Sequence, residues 1–399
     1  MPDFTPTSTQ ELSEFLAANA AGDRQAYQIT GGGTALDYGC PLSKSVTNIS
    51  TRGLNRVIDY PARDMTITVE AGMTIAELAK TLQAENQELP IDVPDPESAT
   101  VGGVLACDVS GPRRFGHGTL RDYLIGVTAV DGLGRTFHAG GRVVKNVAGY
   151  DLCKLLIGSV GTLAVITEAT FKVQSMPIPM ASAWELVGFE KLADCDAAVA
   201  ALSSSVCRPM AVEVVNQKAA RMMAEAVVEP VRDTLWGLAV LIEGSEADVQ
   251  WQSQQLQSEW EHLDGRQLHP LLDVSRKVGP PLGATATIRV ILPPSGCKSF
   301  LELADSNDVA LSAHAGDGVV TGVLPTDASP ALVRELREKA HGLGGRLTVE
   351  MCPAEWKQEL PVFDRSESTL RLMREIKTKL DPHDVLNPGR LFPKEDKKS

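Results

Sequence analysis

SATVGGVLACDVSGPRRFGHG (Ser98–Gly118), LRDYLIGVTAVDGLGRTFHAGG (Leu120–Gly141) and RVVKNVAGYDLCKLLIGSVGTLAVITEATFKV (Arg142–Val173) form one stretch punctuated by glycine at nearly every junction. Glycine loses more conformational freedom on ordering than any other residue, so this density needs a reason. Close backbone approach to a large anionic cofactor supplies one. A turn-rich antiparallel sheet without a ligand is the plainer alternative, but these glycines sit at strand–helix junctions as well as in hairpins. Within the stretch, Ala99–Ala106 reads as a glycine loop entering a helix, whose orphan N–H groups and dipole favour negative charge. Tyr123–Val130 and Arg135–His138 read as a hairpin, Asn146–Gly158 as a helix and Leu163–Val173 as a strand.

Upstream, Ser8 and Glu11 form a capping-box signature for a helix running to about Ala21, and Thr74 and Glu77 form a second. Ala26–Thr30 reads as a strand running into Gly31-Gly32-Gly33-Thr34, a turn able to aim backbone N–H groups at an anion. G-x-G-x-x-G and the P-loop lysine are both absent there, so this is not a Rossmann or P-loop turn. Leu54–Tyr60 and Met65–Glu70 read as strands, and LPIDVPDPE as an extended connector. Beyond MPIPM (176–180), helices are expected at 190–204, 246–263 and 329–342. Strands are expected at 209–215, 235–242, 286–292, 310–314, 318–324 and 346–350. Ser366–Leu380 reads as a late helix, the following DPHDVLNPGRLFP as irregular and KEDKKS as frayed.

A chain of 399 residues is expected to divide into domains: a first over 1–175, with subdomains about 1–90 and 91–175, an α+β domain over 176–365, and a helix and tail over 366–399 that return to the first. A formal net charge of −13 argues against a nucleic-acid or anionic-membrane surface. No apolar run reaches the ~18–20 residues of a spanning helix, and the N-terminus carries no pattern of a secretory signal. The seven cysteines are scattered and form no CxxC, which argues against a disulfide framework or Cys-held clusters and for a reducing, cytoplasmic setting.

ITGGGTALDYG, LPIDVPDPESATVGGVLACDVSGPRRFGHGTLRDYLIG, GGRVVKNVAGYDLCKLLIGSVGTLAVIT and the terminal NPGR together resemble the FAD-binding flavoproteins of the vanillyl-alcohol oxidase/p-cresol methylhydroxylase type. Within them the chain is similar to the FAD-binding subunits of three-part glycolate oxidases. The resemblance implies an α+β protein: a two-subdomain FAD-binding domain over 1–175, followed over 176–365 by an α+β cap domain with a mainly antiparallel sheet. It implies that FAD meets Gly31, Gly32, Gly33 and Thr34 at its pyrophosphate, and Thr100, Gly102 and Gly103 near the phosphates and flavin. Gly161 and Ile166 would lie along the adenine side and Asn387 near the flavin. Some relatives attach FAD covalently through a histidine in the first glycine loop. None stands here, so non-covalent FAD is expected.

Catalytic relatives carry H-x-G-D-G-x-x-H and a later G-E-H-G-I-G. Two His and the Glu can hold a metal, and the remaining His can act as base. Here the first motif stands as His314-Ala315-Gly316-Asp317-Gly318-Val319-Val320-Thr321, and the second retains Glu350 but places Met351 where the base belongs. Methionine accepts no proton at neutral pH, and threonine replaces an imidazole ligand poorly. No metal site is therefore expected. His314 and Glu350 read as a remnant making ordinary hydrogen bonds, although His341 or His383 could approach in space.

Arg113 and Arg114 could bind a substrate carboxylate, or pair with acidic side chains or a partner subunit. His117 could touch flavin or be a satisfied loop histidine. Lys145 and Asn146 could contact FAD, with a helix cap favoured for Asn146. Arg289 reads as a solvated strand residue that could instead face a carboxylate, and Met222, Met223 and the cysteines as packing.

The leading expectation is an FAD-binding subunit of a glycolate oxidase acting in electron relay or assembly. Its partners would be a homologous catalytic flavoprotein and an iron–sulfur subunit, in the cytoplasm or peripheral at the inner face of the membrane. The alternatives are a self-sufficient D-2-hydroxy-acid dehydrogenase and a structural subunit that no longer binds FAD.

Overall fold

The computed structural model describes residues 4–141, 150–176, 178, 180–222, 235–261, 266–268 and 286–392. Two compact units emerge. The first takes the chain up to Ser110, Thr119–Met176 and the part from Arg365 onward, and the second takes Gly111–Gly118 and the chain from 177 to Asp364.

In the first unit, strand β1 (Tyr27–Thr30) pairs in parallel with β2 (Thr47–Ser50). The larger sheet is antiparallel. It is built from β3 (Val57–Asp59), β4 (Thr66–Glu70), β6 (Leu124–Asp131), β7 (Thr136–Gly140) and β8 (Ala164–Lys172), in the order β3-β4-β8-β6-β7. A short pair, β5 (Gln87–Glu88) with β9 (Gln174–Ser175), stands apart. The large sheet draws strands from both sides of residue 90, because β4 pairs along its length with β8. The division between sheets therefore falls after β2 and not at the subdomain boundary expected near 90.

Helix Thr9–Ala21 is capped by Ser8, whose Oγ accepts from Glu11 N at 3.1 Å. It buries Leu12 and Leu16 against Val130, Val165 and Leu386, each leucine contributing about 1.5–3 kcal/mol by leaving water. Thr74 and Glu77 cap helix Ile75–Gln83 reciprocally. The helix expected over Asn146–Gly158 is seen over Leu152–Leu156, where Asp151 caps it through Lys154 N. Lys145 and Asn146 lie outside the described residues, as does Met223.

The late helix Glu367–Leu380 ends in a buried bracket within the first unit. Lys377 pairs with Asp381 and donates to the carbonyls of Thr162 (2.8 Å) and Leu386 (3.1 Å). Asp381 in turn accepts from Val385 N and Leu386 N. These bonds fix the segment leading into Asn387.

The second unit holds one antiparallel sheet of eight strands: β10 (Ala181–Phe189), β11 (Ala211–Asn216), β12 (Trp236–Gly244), β13 (Arg266–Leu268), β14 (Thr287–Ile291), β15 (Ala310–His314), β16 (Val319–Val323) and β17 (Arg346–Met351). Their order is β13-β10-β12-β11-β15-β16-β14-β17. Strand side chains alternate between faces. Val187, Leu238, Val240, Val290, Leu311 and Leu347 point to one face, where helices Leu192–Leu202, Glu246–Trp260, Cys297–Ser306 and Pro330–Gly342 cover them. The alternation sends Glu213, Ser312, His314, Thr321, Arg289 and Thr348 to the opposite face, and the register sets them in adjacent strands.

Gly111–Gly118, expected within the first domain, belongs to this second unit. Gly116 N donates to Met210 O at 3.0 Å, and a Cβ on Gly116 would strike Met210. Among the described residues no helix is long and apolar enough to cross a membrane.

Candidate functional site

The first unit contains a half-open cleft. Its walls include Gly31, Gly32, Gly33, Thr34, Thr100, Gly102, Gly103, Gly161, Ile166 and Asn387. Residues as far apart in sequence as Ile29 and Asn387, 358 positions, thus meet around one space. The first glycine turn is packed tightly from behind. A Cβ on Gly31 would strike Thr100 Oγ1, one on Gly32 would overlap the Ser98 carbonyl, and Gly33 takes φ +78°. On the open side, the backbone N–H groups of Gly32, Gly33 and Thr34 have no acceptor among the described residues. Successive unpaired N–H groups at a turn suit an anionic oxygen cluster.

The second glycine loop behaves differently from expectation. The helix is Val101–Cys107, capped by Thr100. Its first N–H groups are not orphans: Val101 N donates to Met73 O (2.9 Å) and Gly102 N to Ala71 O (2.7 Å). The segment just after β4 consumes donors that sequence reasoning assigns to an anion. Gly102 is needed for this approach, since its Cβ would lie 3.0 Å from the Ala71 Cβ. The loop therefore shapes the wall, and the anion-binding capacity rests on Gly32–Thr34.

Asn387 is a buried clamp. Its Oδ1 accepts from Ile29 N and its Nδ2 donates to Val160 O, both at 2.9 Å. It ties β1, which carries the first glycine turn, to the Val160–Gly161 turn. Gly161 takes φ +63°, and a Cβ there would lie 2.7 Å from Asn387 Nδ2. With both ends of its amide engaged, Asn387 positions the walls.

Sequence reasoning misses Arg390, which also lines the cleft. The available signal is its place in NPGR, three residues after Asn387. Burial lowers its pKa from the ordinary arginine value, with Asp37 opposing.

The catalytic candidates in the second unit separate into pairs. His314 Nδ1 bonds Glu213, which also accepts from Ser312 Oγ at 3.1 Å. Burial disfavours the His314 cation, but Glu213 outweighs it and raises the pKa, with Asp317 adding and Arg114 opposing. Arg114 Nε lies 2.7 Å from Asp317 Oδ2. Arg289 Nε lies 3.0 Å from Glu350 Oε1, so Arg289 is an ion-pair partner rather than a solvated strand residue. Glu350 sits where the β14–β17 register shifts, two residues beyond the Thr348 that faces Arg289.

Arg113 and His117 both bind Glu243, at 3.3 and 2.9 Å. Burial alone would raise the Glu243 pKa, but the His117 hydrogen bond and the Arg113 charge hold it below the usual carboxylate range. Both arginines of PRR and His117 thus pair internally with acidic residues.

The two positions that depart from the catalytic motifs are occupied otherwise. Thr321 Oγ1 donates to Ser312 O at 3.1 Å, and Met351 ends β17 opposite Thr287. His341 bonds Asp364 from helix Pro330–Gly342, and His383 lies in the first unit beside Lys44. Among the described residues no group of three His, Cys, Asp or Glu side chains could hold a metal. Burial pushes the thiols of Cys153 and Cys297 up to about 11, as expected of packing residues.

A family model described as FAD binding domain matches residues 3–140. A second, described as FAD linked oxidases, C-terminal domain, matches 178–276 and 293–391. The chain belongs to the FAD-linked oxidases. FAD is its cofactor, and the three unpaired N–H groups of the glycine turn are a fitting place for the pyrophosphate of that group.

This FAD-linked oxidase is 26% identical over 430 residues to "Glycolate oxidase subunit GlcD" of Bacillus subtilis, covering 100% of this chain and 90% of that one. It is 35% identical over 164 residues to "Glycolate oxidase subunit GlcE" of Escherichia coli, but that match covers 41% of this chain and 46% of the other. It is 27% identical over 408 residues to a "D-2-hydroxyglutarate dehydrogenase" of Xanthomonas citri, covering 92% and 84%. In fold it is similar to a solved alkyldihydroxyacetonephosphate synthase, at TM-score 0.68 and 18% identity, over 97% of this chain and 77% of that one.

Proposed function

We propose that this chain is the FAD-binding subunit of a multi-subunit glycolate oxidase and acts in electron relay or assembly. The observation that carries the reading is the state of the polar face in the second unit. Arg113 and His117 are held by Glu243, Arg114 by Asp317, Arg289 by Glu350 and His314 by Glu213. A 2-hydroxy acid needs a cation for its carboxylate and a base for its hydroxyl. The cations here already have carboxylates, and Thr321 and Met351 stand where a ligand and a base are required.

In this reading Gly31–Thr34 hold the pyrophosphate, and Thr100, Gly102 and Gly103 form the wall beside the phosphates and flavin. Gly161 and Ile166 line the adenine side, and Asn387 clamps the cleft. FAD supplies two-electron acceptance and onward transfer when bound. Non-covalent binding is supported by the cleft lining, in which no histidine stands among the described residues. A homologous flavoprotein would oxidise glycolate, and an iron–sulfur subunit would carry electrons onward. The setting would be cytoplasmic, or peripheral at the inner membrane face through those partners. The glycolate oxidase names of two similar proteins support this choice of assembly.

The test compares glycolate turnover, with a dye acceptor, by the flavin-loaded chain alone and after addition of its partner subunits. Turnover only in the assembly supports the proposal, and equal turnover by the isolated chain rejects it.

One observation favours a second reading, a self-sufficient D-2-hydroxy-acid dehydrogenase. Glu213 against His314 Nδ1 is the arrangement of a histidine base with its orienting carboxylate. Under that reading the isolated chain turns over and His314→Gln abolishes it.

A further inference from the structure

Arg390 is the one charged side chain among the described residues lining the cofactor cleft. Its backbone is fixed from two sides. Its N–H donates to Asn387 O at 3.1 Å, and its carbonyl accepts from Cys40 N at 2.8 Å. Gly389 before it takes φ +87°, and a Cβ on Gly39 would lie 2.7 Å from the Arg390 carbonyl. The side chain is therefore delivered to the cleft by a tightly built turn rather than by a mobile tail.

Nη1 reaches the Tyr38 carbonyl at 3.4 Å, a long bond. Among the described residues no carboxylate forms an ion pair with this guanidinium, and Asp37 acts on it only as a charge at longer range. Arg113, Arg114 and Arg289 of the second unit, by contrast, each have a carboxylate oxygen within 3.3 Å. A partly desolvated cation without a matched anion is costly to keep. Arg390 lines the same cleft as the turn Gly31–Thr34 with its unpaired N–H groups. Backbone amides supply only partial charges, whereas a pyrophosphate carries full negative charge.

We propose that Arg390 is the counter-ion of the cofactor's pyrophosphate, completing the site that Gly32–Thr34 begin. This rests on the reading that FAD occupies the cleft. It makes the NPGR tail a binding element in which Asn387 positions and Arg390 contacts.

The test titrates flavin-depleted full-length wild type, Arg390→Gln and Arg390→Lys with FAD and, separately, with riboflavin, which lacks phosphate. Flavin fluorescence quenching gives both affinities. Removing one charge-assisted contact should weaken FAD binding roughly tenfold to a hundredfold in Arg390→Gln. Riboflavin affinity should stay within about twofold, and Arg390→Lys should recover part of the loss because a point charge is retained. Unchanged FAD affinity in Arg390→Gln overturns the inference, as does an equal loss for riboflavin, which would place the effect on the ring or on the fold. A wild-type chain that binds neither flavin refutes the cleft reading itself, an outcome distinct from failure of Arg390 alone.

Discussion

Asn387→Ala should loosen the cofactor cleft of the first unit and destabilise that unit. Asn387 is buried, and both ends of its amide bond backbone groups 2.9 Å away: Ile29 N–H and Val160 C=O. Alanine leaves both without partners. Each deserted buried group costs about 1–3 kcal/mol, so the pair sets a range of roughly 2–6 kcal/mol. Asn387 lines the open cleft, so water can reach part of the gap and the lower half of that range applies. Asn387 also has φ +42°, where alanine is disfavoured by about 1 kcal/mol or more.

The readouts can separate the two units. All five tryptophans, at 184, 236, 251, 260 and 356, lie in the second unit. Their fluorescence should be unchanged. Hydrogen exchange at Ile29 should accelerate by at least about tenfold, since 1.4 kcal/mol is a factor of ten, and FAD affinity should fall with it. Asn387→Asp should be worse still, because it sets a carboxylate oxygen against the Val160 carbonyl while keeping the acceptor for Ile29. Unchanged exchange at Ile29 in Asn387→Ala, with wild-type FAD affinity, would refute the clamp.

Glu213→Gln should lower the His314 pKa, read by NMR titration. In the wild type Glu213 raises that pKa above the ordinary value of about 6.5. The contribution to stability is then full below about pH 6.5 and lost as pH rises through the folded value. In the variant burial dominates, so the slope reverses and stability rises with pH, measurable by urea unfolding followed through the tryptophans. Gly32→Ala should abolish FAD binding, read by flavin fluorescence quenching, because its Cβ would overlap the Ser98 carbonyl. Gly342→Ala, where nothing lies within 4 Å of the added methyl, should stabilise the second unit by about 0.4–1 kcal/mol in the same urea assay. Glu243→Gln should remove the acid sensitivity set by its depressed pKa. Wild-type stability from this group is present above the unfolded carboxylate value of about 4.3 and is lost as pH falls through the folded one.

Local chemistry makes much of the fold legible. Ser8 and Thr74 each accept a backbone N–H at the start of a helix, as their spacing to Glu11 and Glu77 suggests, and Ser366 caps the late helix in the same way. The alternating run expected over Leu163–Val173 is a strand at Ala164–Lys172, and the segment expected at 310–314 is one as well. β10 and helix Cys297–Ser306 escape a sequence reading. β10 is buried on both faces toward its end, so its alternation fades, and the helix starts directly after Pro293 and a tight turn at Pro294–Gly296.

The site is legible as composition and less so as bonding. Triple glycine marks a turn, but nothing local says that Met73 and Ala71 carbonyls will take the donors of Val101 and Gly102. Glu213 lies 101 residues from His314 and Glu243 lies 126 from His117, so those pairs exist only through sheet register and the placement of Gly111–Gly118. NPGR is equally mute about charge: the motif marks a turn, while the value of Arg390 emerges only from the cleft around it.

The most direct measurement is anaerobic stopped-flow of the FAD-loaded chain alone, following the visible flavin band after mixing with glycolate or D-lactate. An FAD-binding subunit whose polar face is closed by its own ion pairs should show no bleaching by either acid and full bleaching by dithionite. Rapid bleaching by a 2-hydroxy acid would contradict this. It would mean that the paired face opens to substrate and that another group does the work expected of a base at Met351.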